Sequence, residues 1–228
     1  MTGIIIQARM GSNRLPCKVL KKIGNKTLLE HIFYRLSFLK TPVKIILATS
    51  TNPENNIIEE FCDINNITCF RGSENNVLER YYLCSKKYEF SHIIRLTADN
   101  PFVDIEELDN LIKFHLETKS DYSHSFESLP KGVGAEIFTF EALEKSFFEG
   151  KEPHHIEHVN EYILENPGLF KIATLKTPGE KNKPEISLTV DTLEDYKKAC
   201  YIVQNSQNEY IDTKKLVQLT IQYERENN

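Results

Sequence analysis

Paired cysteines are missing from this chain: its five, Cys17, Cys62, Cys69, Cys84 and Cys200, are odd in number and scattered, with no C-x-x-C spacing. That pattern argues against a disulfide framework or a zinc site and for reduced thiols in the core or in loops. No apolar run approaches the roughly 20 residues that a bilayer span requires, and no charged-then-apolar signal segment precedes the first strand. The expectation is a cytoplasmic protein without a membrane partner. Excess positive charge is absent too, since 28 Lys and Arg against 33 Asp and Glu leave a formal net charge of -5. Such a field repels nucleic-acid phosphates, so no nucleic-acid partner is expected and any bound anion must be met locally. Internal repeats and low-complexity tracts are lacking as well. With 228 residues and 40% hydrophobic side chains, the chain can build a substantial core and reads as a single domain over 1–228.

What is present starts at Gly3 with Gly-Ile-Ile-Ile-Gln-Ala-Arg-Met-Gly-Ser-Asn-Arg-Leu-Pro-Cys-Lys-Val-Leu. A β-branched apolar run of strand length suits a buried parallel strand, which delivers its loop to the carboxyl edge of the sheet, where α/β proteins bind ligands. Arg9, Arg14 and Lys18 follow within that loop, beside Gly11 and Ser12, whose backbone N–H groups allow close approach. Fixed cations in this setting match a polyphosphate, and a nucleoside triphosphate is the expected ligand. The loop is not a P-loop. Gly11 is not followed by Lys-Ser/Thr, and Gly24-Asn25-Lys26-Thr27 has the wrong spacing after a strand.

Apolar residues at three-and-four spacing predict a helix over Thr27–Lys40, stopped by Pro42. Strand, loop and helix then recur: a strand at Lys44–Ser50 with a helix at Glu54–Asn65, Ile67–Phe70 with Val77–Tyr88, and His92–Leu96 with Ile105–Glu117. Repeated units of this kind imply right-handed crossovers and a mainly parallel sheet with helices on both faces. The second half predicts strands at Ser120–Ser125 and Gly134–Phe140, helices at Glu141–Phe148 and Ile156–Glu165, and strands at Phe170–Leu175 and Ile186–Val190. Helices at Glu194–Gln204 and Thr213–Glu224 close the chain, and Lys176–Pro184 reads as a mobile loop.

Two carboxylates end strand-like runs. In Arg95-Leu96-Thr97-Ala98-Asp99-Asn100-Pro101, Asp99 is either a hard oxygen ligand for Mg²⁺ on triphosphate oxygens or a turn former. In Leu188-Thr189-Val190-Asp191-Thr192-Leu193-Glu194-Asp195, Thr192 and Asp195 have capping-box spacing. Asp191 then either assists that cap or faces the same cleft as Asp99, where the two could share one Mg²⁺. His154, His155 and His158 cluster, but without an H-E-x-x-H sequence a structural or substrate-contacting role is preferred to a zinc site. Glu136, after a glycine-rich turn, either binds sugar hydroxyls or is a partnered strand residue.

The order Ile-Ile-Gln-Ala-Arg-Met-Gly-Ser-x-Arg-Leu-Pro-x-Lys-Val-Leu, then Phe-Arg-Gly-Ser-Glu-x-x-Val-Leu-x-Arg-Tyr, Arg-Leu-Thr-x-Asp-x-Pro, Glu-His-Val and Leu-Thr-Val-Asp-Thr-x-Glu-Asp, resembles the spore-coat polysaccharide branch of the cytidylyltransferases. That branch is similar to the CMP-3-deoxy-manno-octulosonate and CMP-sialic acid synthetases. The resemblance runs from Gly3 to about Tyr201 and implies a Rossmann-like three-layer α/β/α nucleotidyltransferase fold. It also implies attack of a sugar-type acceptor on the α-phosphate of CTP, with Mg²⁺ as cofactor and pyrophosphate as leaving group, for surface glycan synthesis. By the same resemblance Gln7, Ala8, Arg9, Met10, Gly11 and Ser12 wrap the nucleotide with Thr97 and Ala98, while Thr49 and Ser50 lie near its base. Arg14 and Lys18 bind phosphates, Asp99 and Asp191 hold the metal, and Arg71, Gly72, Ser73, Glu136 and His158 lie on the acceptor side. Arg9, Arg14, Lys18 and Asp99 form the implied catalytic set. Cys17 stands where that family often carries Gly. The resemblance further favours a homodimer joined through Glu127–Phe138 or the closing helices. A glycosyltransferase using a preformed nucleotide sugar is the alternative, although Thr97-Ala98-Asp99 has one acid of the D-x-D such enzymes usually present; a non-catalytic nucleotide-binding protein is the other.

Overall fold

The computed structural model describes residues 1–177 and 179–227. Strand β1 (Thr2–Gln7) buries Ile4, Ile5 and Ile6 completely. Because side chains alternate along a strand, Ile4 and Ile6 enter one core and Ile5 the other, so β1 requires cover on both faces. A long loop then leads to a 3₁₀ turn at Lys18–Leu20, a small antiparallel hairpin of β2 (Lys22–Ile23) and β3 (Lys26–Thr27), and helix α1 (Leu28–Leu36). A capping box starts α1: the Thr27 hydroxyl accepts from Glu30 N–H at 3.1 Å and the Glu30 carboxylate accepts from Thr27 N–H at 2.6 Å.

Three further units complete the regular half: β4 (Lys44–Ser50) with α2 (Asn56–Ile64), β5 (Cys69–Gly72) with α3 (Val77–Lys87), and β6 (His92–Thr97) with α4 (Ile105–Thr118). The irregular half adds β7 (Tyr122–His124), β8 (Glu136–Thr139), α5 (Phe140–Glu149), α6 (Pro153–Glu157), α7 (Glu161–Glu165), β9 (Ile172–Thr174), α8 (Leu193–Gln204) and α9 (Thr213–Asn227). The seven-stranded sheet has the order β5-β4-β1-β6-β8-β7-β9. β5, β4, β1 and β6 run parallel, β8 is antiparallel to β6 and β7, and β9 pairs parallel with β7. Helices α1, α2 and α4 pack on Ile4, Ile6, Leu47, Ile94 and Leu96; α3 and α5 pack on Ile5, Ile46, Ile93 and Phe138. The expected mainly parallel, two-sided sheet is the observed one. After β1 the chain steps outward to β4 and β5, then crosses to the other side of β1 with β6. This reversal of strand order opens a crevice beyond the carboxyl ends of β1 and β6.

Several expected boundaries are corrected. Ile186–Val190 is extended but is no strand of the sheet: it keeps one isolated bridge, Lys131 to Ser187, because its hydrogen-bonding neighbours are the loops at Lys131 and Asp99. Gly132 makes that contact feasible, since its φ is +84° and a Cβ there would lie 2.7 Å from the Thr189 hydroxyl. The helix expected over Ile156–Glu165 is broken in two, because His158 is extended (φ −114°, ψ 104°). The strand expected at Ile67–Phe70 lies at Cys69–Gly72, where it pairs with Leu47–Ser50. β7, β8 and β9 are each shorter than expected, and α1 ends at Leu36. Pro178, within the expected loop Lys176–Pro184, lies outside the described residues.

A third core joins α8 and α9 (Ala199, Ile202, Leu216, Val217) to Leu188 and Val190 and to Leu15, Ile23 and Leu28 below the first loop. Through it the C-terminal helices seat the segment ending at Asp191 against the N-terminal loop. No helix among the described residues is long and apolar enough to cross a membrane.

Candidate active site

At the crevice lies a cavity of ≈ 510 Å³ lined by the loop after β1 (Arg9, Gly11, Ser12, Asn13, Arg14), the end of β6 (Thr97, Ala98, Asp99) and Asp191. Gln7, Ala8, Lys18, Val19, Arg95, Glu157 and His158 complete the wall. Its size falls in the range of small-molecule sites. Backbone contacts fix the loop: Ala8 N–H donates to Ala48 O at 3.1 Å, and Met10 N–H donates to the side chain of fully buried Asn55 at 2.8 Å.

The centre of the site is an ammonium held between two carboxylates. Lys18 Nζ lies 3.0 Å from Asp99 Oδ2 and 2.7 Å from Asp191 Oδ1, and Arg14 reaches the other Asp191 oxygen at 3.0 Å. The fold aims both acids here. Thr97 donates to Asp99 at 2.6 Å, and Val190 N–H donates to the Asp99 carbonyl at 2.8 Å, tying the two loops together. On the other side Thr192 caps α8 reciprocally with Asp195, at 3.2 Å and 2.9 Å. The cap therefore rests on Thr192 and Asp195, which leaves the Asp191 carboxylate to the cavity. Burial raises the Asp191 pKa, but the hydrogen bond and charge of Lys18, with Arg14 beside it, outweigh burial and hold it below the usual aspartate value.

Arg9 pairs with Glu157 across the cavity mouth at 3.4 Å, both half-exposed. Arg95, which sequence reasoning quoted without assigning a role, lines the inner wall; its guanidinium is carried by fully buried Glu136, which also accepts from Tyr122. The signal for Arg95 was a lone cation inside the apolar run of β6, three residues into the strand. Asn13, Val19 and Glu157 also line the cavity without having been assigned a role, although each lies within a quoted motif, Asn13 and Val19 in the first loop and Glu157 in Glu-His-Val.

Among the sequence-derived candidates, Gln7, Ala8, Arg9, Gly11, Ser12, Arg14, Lys18, Thr97, Ala98, Asp99, His158 and Asp191 are brought together on this cavity. Met10, Thr49, Ser50, Arg71, Gly72, Ser73 and Glu136 do not line it. Met10 packs on the core below, and Thr49 is fully buried at the end of β4. Ser50 bonds Asn52, Asn55 and Glu74. Arg71 has its fork occupied by Ser50 O, Asn52 O, Asn56 and Glu59, at 2.6–3.0 Å. Gly72 backs onto the Arg80 side chain, and the Ser73 hydroxyl accepts from Asn76 N–H at 3.1 Å. Glu136 is the partnered strand residue of its two readings, paired with Arg95 in the β6–β8 register.

A profile of the family described as cytidylyltransferase matches residues 3–226 of the chain. Over 193 residues it is 44% identical to an uncharacterized protein of Methanocaldococcus jannaschii, covering 85% of this chain and 79% of the relative. Over 204 residues it is 39% identical to the spore coat polysaccharide biosynthesis protein SpsF of Bacillus subtilis, covering 86% and 85%. A solved cytidylyltransferase from Leptospira borgpetersenii superposes with a TM-score of 0.90 at 31% identity, over 98% of this chain and 95% of that one. A CMP:2-keto-3-deoxy-manno-octonic acid synthetase complexed with CTP has the same fold, with a TM-score of 0.67 at 16% identity over 89% and 98%.

Proposed function

The chain belongs to the cytidylyltransferase family, and from that premise we propose that it transfers the cytidylyl group of CTP to a sugar-type acceptor. The reaction releases pyrophosphate and serves surface glycan synthesis in the cytoplasm, with the chain working as a homodimer. The observation that carries this reading is the convergence of Asp99 and Asp191 on one point, beside Arg14 and Lys18, at the crevice beyond β1 and β6.

Charge pairing within the cavity argues for a metal. Lys18 is engaged by both aspartates, Arg14 by Asp191, Arg9 by Glu157 and Arg95 by Glu136. A triphosphate entering alone meets cations already compensated. Two carboxylates within 3.0 Å of a single cationic atom have the hard-oxygen geometry that suits Mg²⁺, so the donor set fits that ion. Bound there, Mg²⁺ supplies Lewis-acid neutralisation of phosphate oxygens. With the aspartates committed to the metal, Lys18 and Arg14 are free to hold the charge that develops as the P–O bond to pyrophosphate breaks. Catalysis then consists mainly of positioning and electrostatics, as in phosphoryl transfer generally. The Gly11 backbone N–H faces the phosphates, whereas the Ser12 N–H is spent on Met10 O at 2.8 Å. Arg95 on the inner wall and exposed His158 mark the side where the acceptor sits.

A thermal-shift panel of CTP, UTP, GTP and ATP, each with and without Mg²⁺, tests the reading, because a ligand selective for the folded state raises its stability. Stabilisation by CTP, enhanced by Mg²⁺, is expected. Equal shifts for all four, or none, would remove the case for CTP.

A further inference from the structure

A second donor cluster lies outside this cavity, on α6 and α7. Of the clustered histidines, His158 is drawn to the cavity, and the i, i+4 pair with His154 does not form because α6 ends at Glu157. His154 and His155 instead turn to α7. Their Nε2 atoms lie 2.7 Å from separate oxygens of Glu165, and the potential ligand atoms of all three residues lie within 4.8 Å of one another. The geometry points to a binding site for a late first-row divalent cation, Zn²⁺ above all, formed by His154, His155 and Glu165.

The donors decide the class of ion. Two imidazole nitrogens and one carboxylate oxygen are the borderline set that selects Zn²⁺, Co²⁺ or Ni²⁺ over Mg²⁺ and Ca²⁺. In the catalytic cavity the converging donors are oxygens alone, so the two sites differ in metal preference. Ligands of a tetrahedral zinc lie roughly 3.3–3.5 Å apart, given bonds of about 2.0–2.2 Å. Small side-chain rotations close the observed spacing. His155 is already positioned, being buried, wedged against Tyr162 at a 5.4 Å centroid distance and close to the backbone of Gly150. Its Nδ1 accepts from Glu152 N–H at a long 3.3 Å. Ligation through Nε2 moves the ring proton to Nδ1 and gives up that weak bond in exchange for the metal bond. His154 and Glu165 are half-exposed, which gives the ion a route in and leaves a fourth position for water.

Such an ion would clip α6 to α7 across the break at His158. The residues that break presents to the cavity are Glu157 and His158, so the clip would stiffen that wall without touching the reacting groups.

The full-length protein, stripped with chelator, should be titrated with Zn²⁺ by calorimetry in parallel with His154→Gln, Glu165→Gln and Asp191→Asn. One equivalent bound with micromolar or better affinity is expected in the unaltered chain and in Asp191→Asn. Binding should weaken by at least about tenfold in His154→Gln and Glu165→Gln. Zn²⁺ should raise the melting temperature of the unaltered chain and not of those two variants, and excess Mg²⁺ should not compete. Both substituted residues are half-exposed, so melting curves without metal provide a check on folding. Absence of binding, or binding unchanged in both variants, would overturn the site and leave the three side chains as a hydrogen-bonded group.

Discussion

Replacing Lys18 by Met separates two roles that the geometry assigns to one side chain. Its side chain is 11% exposed and its ammonium lies 3.0 Å and 2.7 Å from the carboxylates of Asp99 and Asp191. In the absence of nucleotide it therefore competes with Mg²⁺ for the same oxygens. At an effective dielectric near 20, unit charges about 4 Å apart interact by about 4 kcal/mol, and the partial exposure of both aspartates reduces the effect to about 1–2 kcal/mol. Lys18→Met should thus bind Mg²⁺ roughly 5- to 30-fold more tightly. Turnover should move in the opposite direction, falling on the order of 10²- to 10³-fold, the cost of losing one preorganised charge at a developing anion. Calorimetric Mg²⁺ titration at low ionic strength measures the first effect and pyrophosphate release measures the second. A misfolded variant would lose both, so the opposed signs are diagnostic. Unchanged or weaker Mg²⁺ binding, or undiminished turnover, would refute the reasoning.

Other consequences are independent of the metal. Glu136→Gln removes the counter-charge of Arg95 from a pair whose acid is fully buried and whose guanidinium side chain is 17% exposed on the cavity wall. It should destabilise the fold by about 3 kcal/mol, the low end for a buried pair, in denaturant unfolding; a loss below about 1 kcal/mol would mean that Arg95 is solvated from the cavity. Burial, with His92 beside it, lowers the His115 pKa to about 4 from 6.5, so the unfolded chain takes up a proton that the folded chain refuses. Stability should fall as pH drops from about 6.5 to about 4, by about 3 kcal/mol from this group, and His115→Gln should flatten that part of a stability–pH curve. Cys17 holds φ 57°, ψ 23°, the left-handed region that costs a side-chain-bearing residue about 1 kcal/mol or more, so Cys17→Gly should be neutral to stabilising by up to about 1 kcal/mol in thermal unfolding.

The first loop was legible because its signal is local: three isoleucines demand burial on both faces, and the cations that follow can only emerge at the sheet edge. Asp191 was legible through its neighbour, since the Thr192–Asp195 spacing assigns the cap elsewhere and frees the acid. Glu136 and Arg71 show where such reading stops. Whether a charged residue near a strand end faces a cavity depends on pairing across long separations, as with Arg95 and Glu136, which meet in an antiparallel register that no local pattern encodes. Arg71 was taken for a ligand-binding cation, but the start of α2 and the carbonyls before it consume its donors. The segment Ile186–Val190 looked like a strand because its apolar residues alternate with Ser187 and Thr189; Ile186, Leu188 and Val190 are buried with α8, α9 and the residues below the first loop rather than in the sheet. The break at His158 had no sequence signal, lacking Gly or Pro, yet it is what turns His158 and Glu157 toward the cavity.

The central claim is most directly tested by incubating the protein with CTP labelled at the α-phosphate, Mg²⁺ and a panel of sugars, sugar phosphates and sugar acids, and following both pyrophosphate and label. The account predicts pyrophosphate released in step with transfer of labelled CMP to one acceptor class, and loss of both in Asp191→Asn. Pyrophosphate-free release of CMP from a preformed CMP-sugar, or full activity in Asp191→Asn, would contradict it.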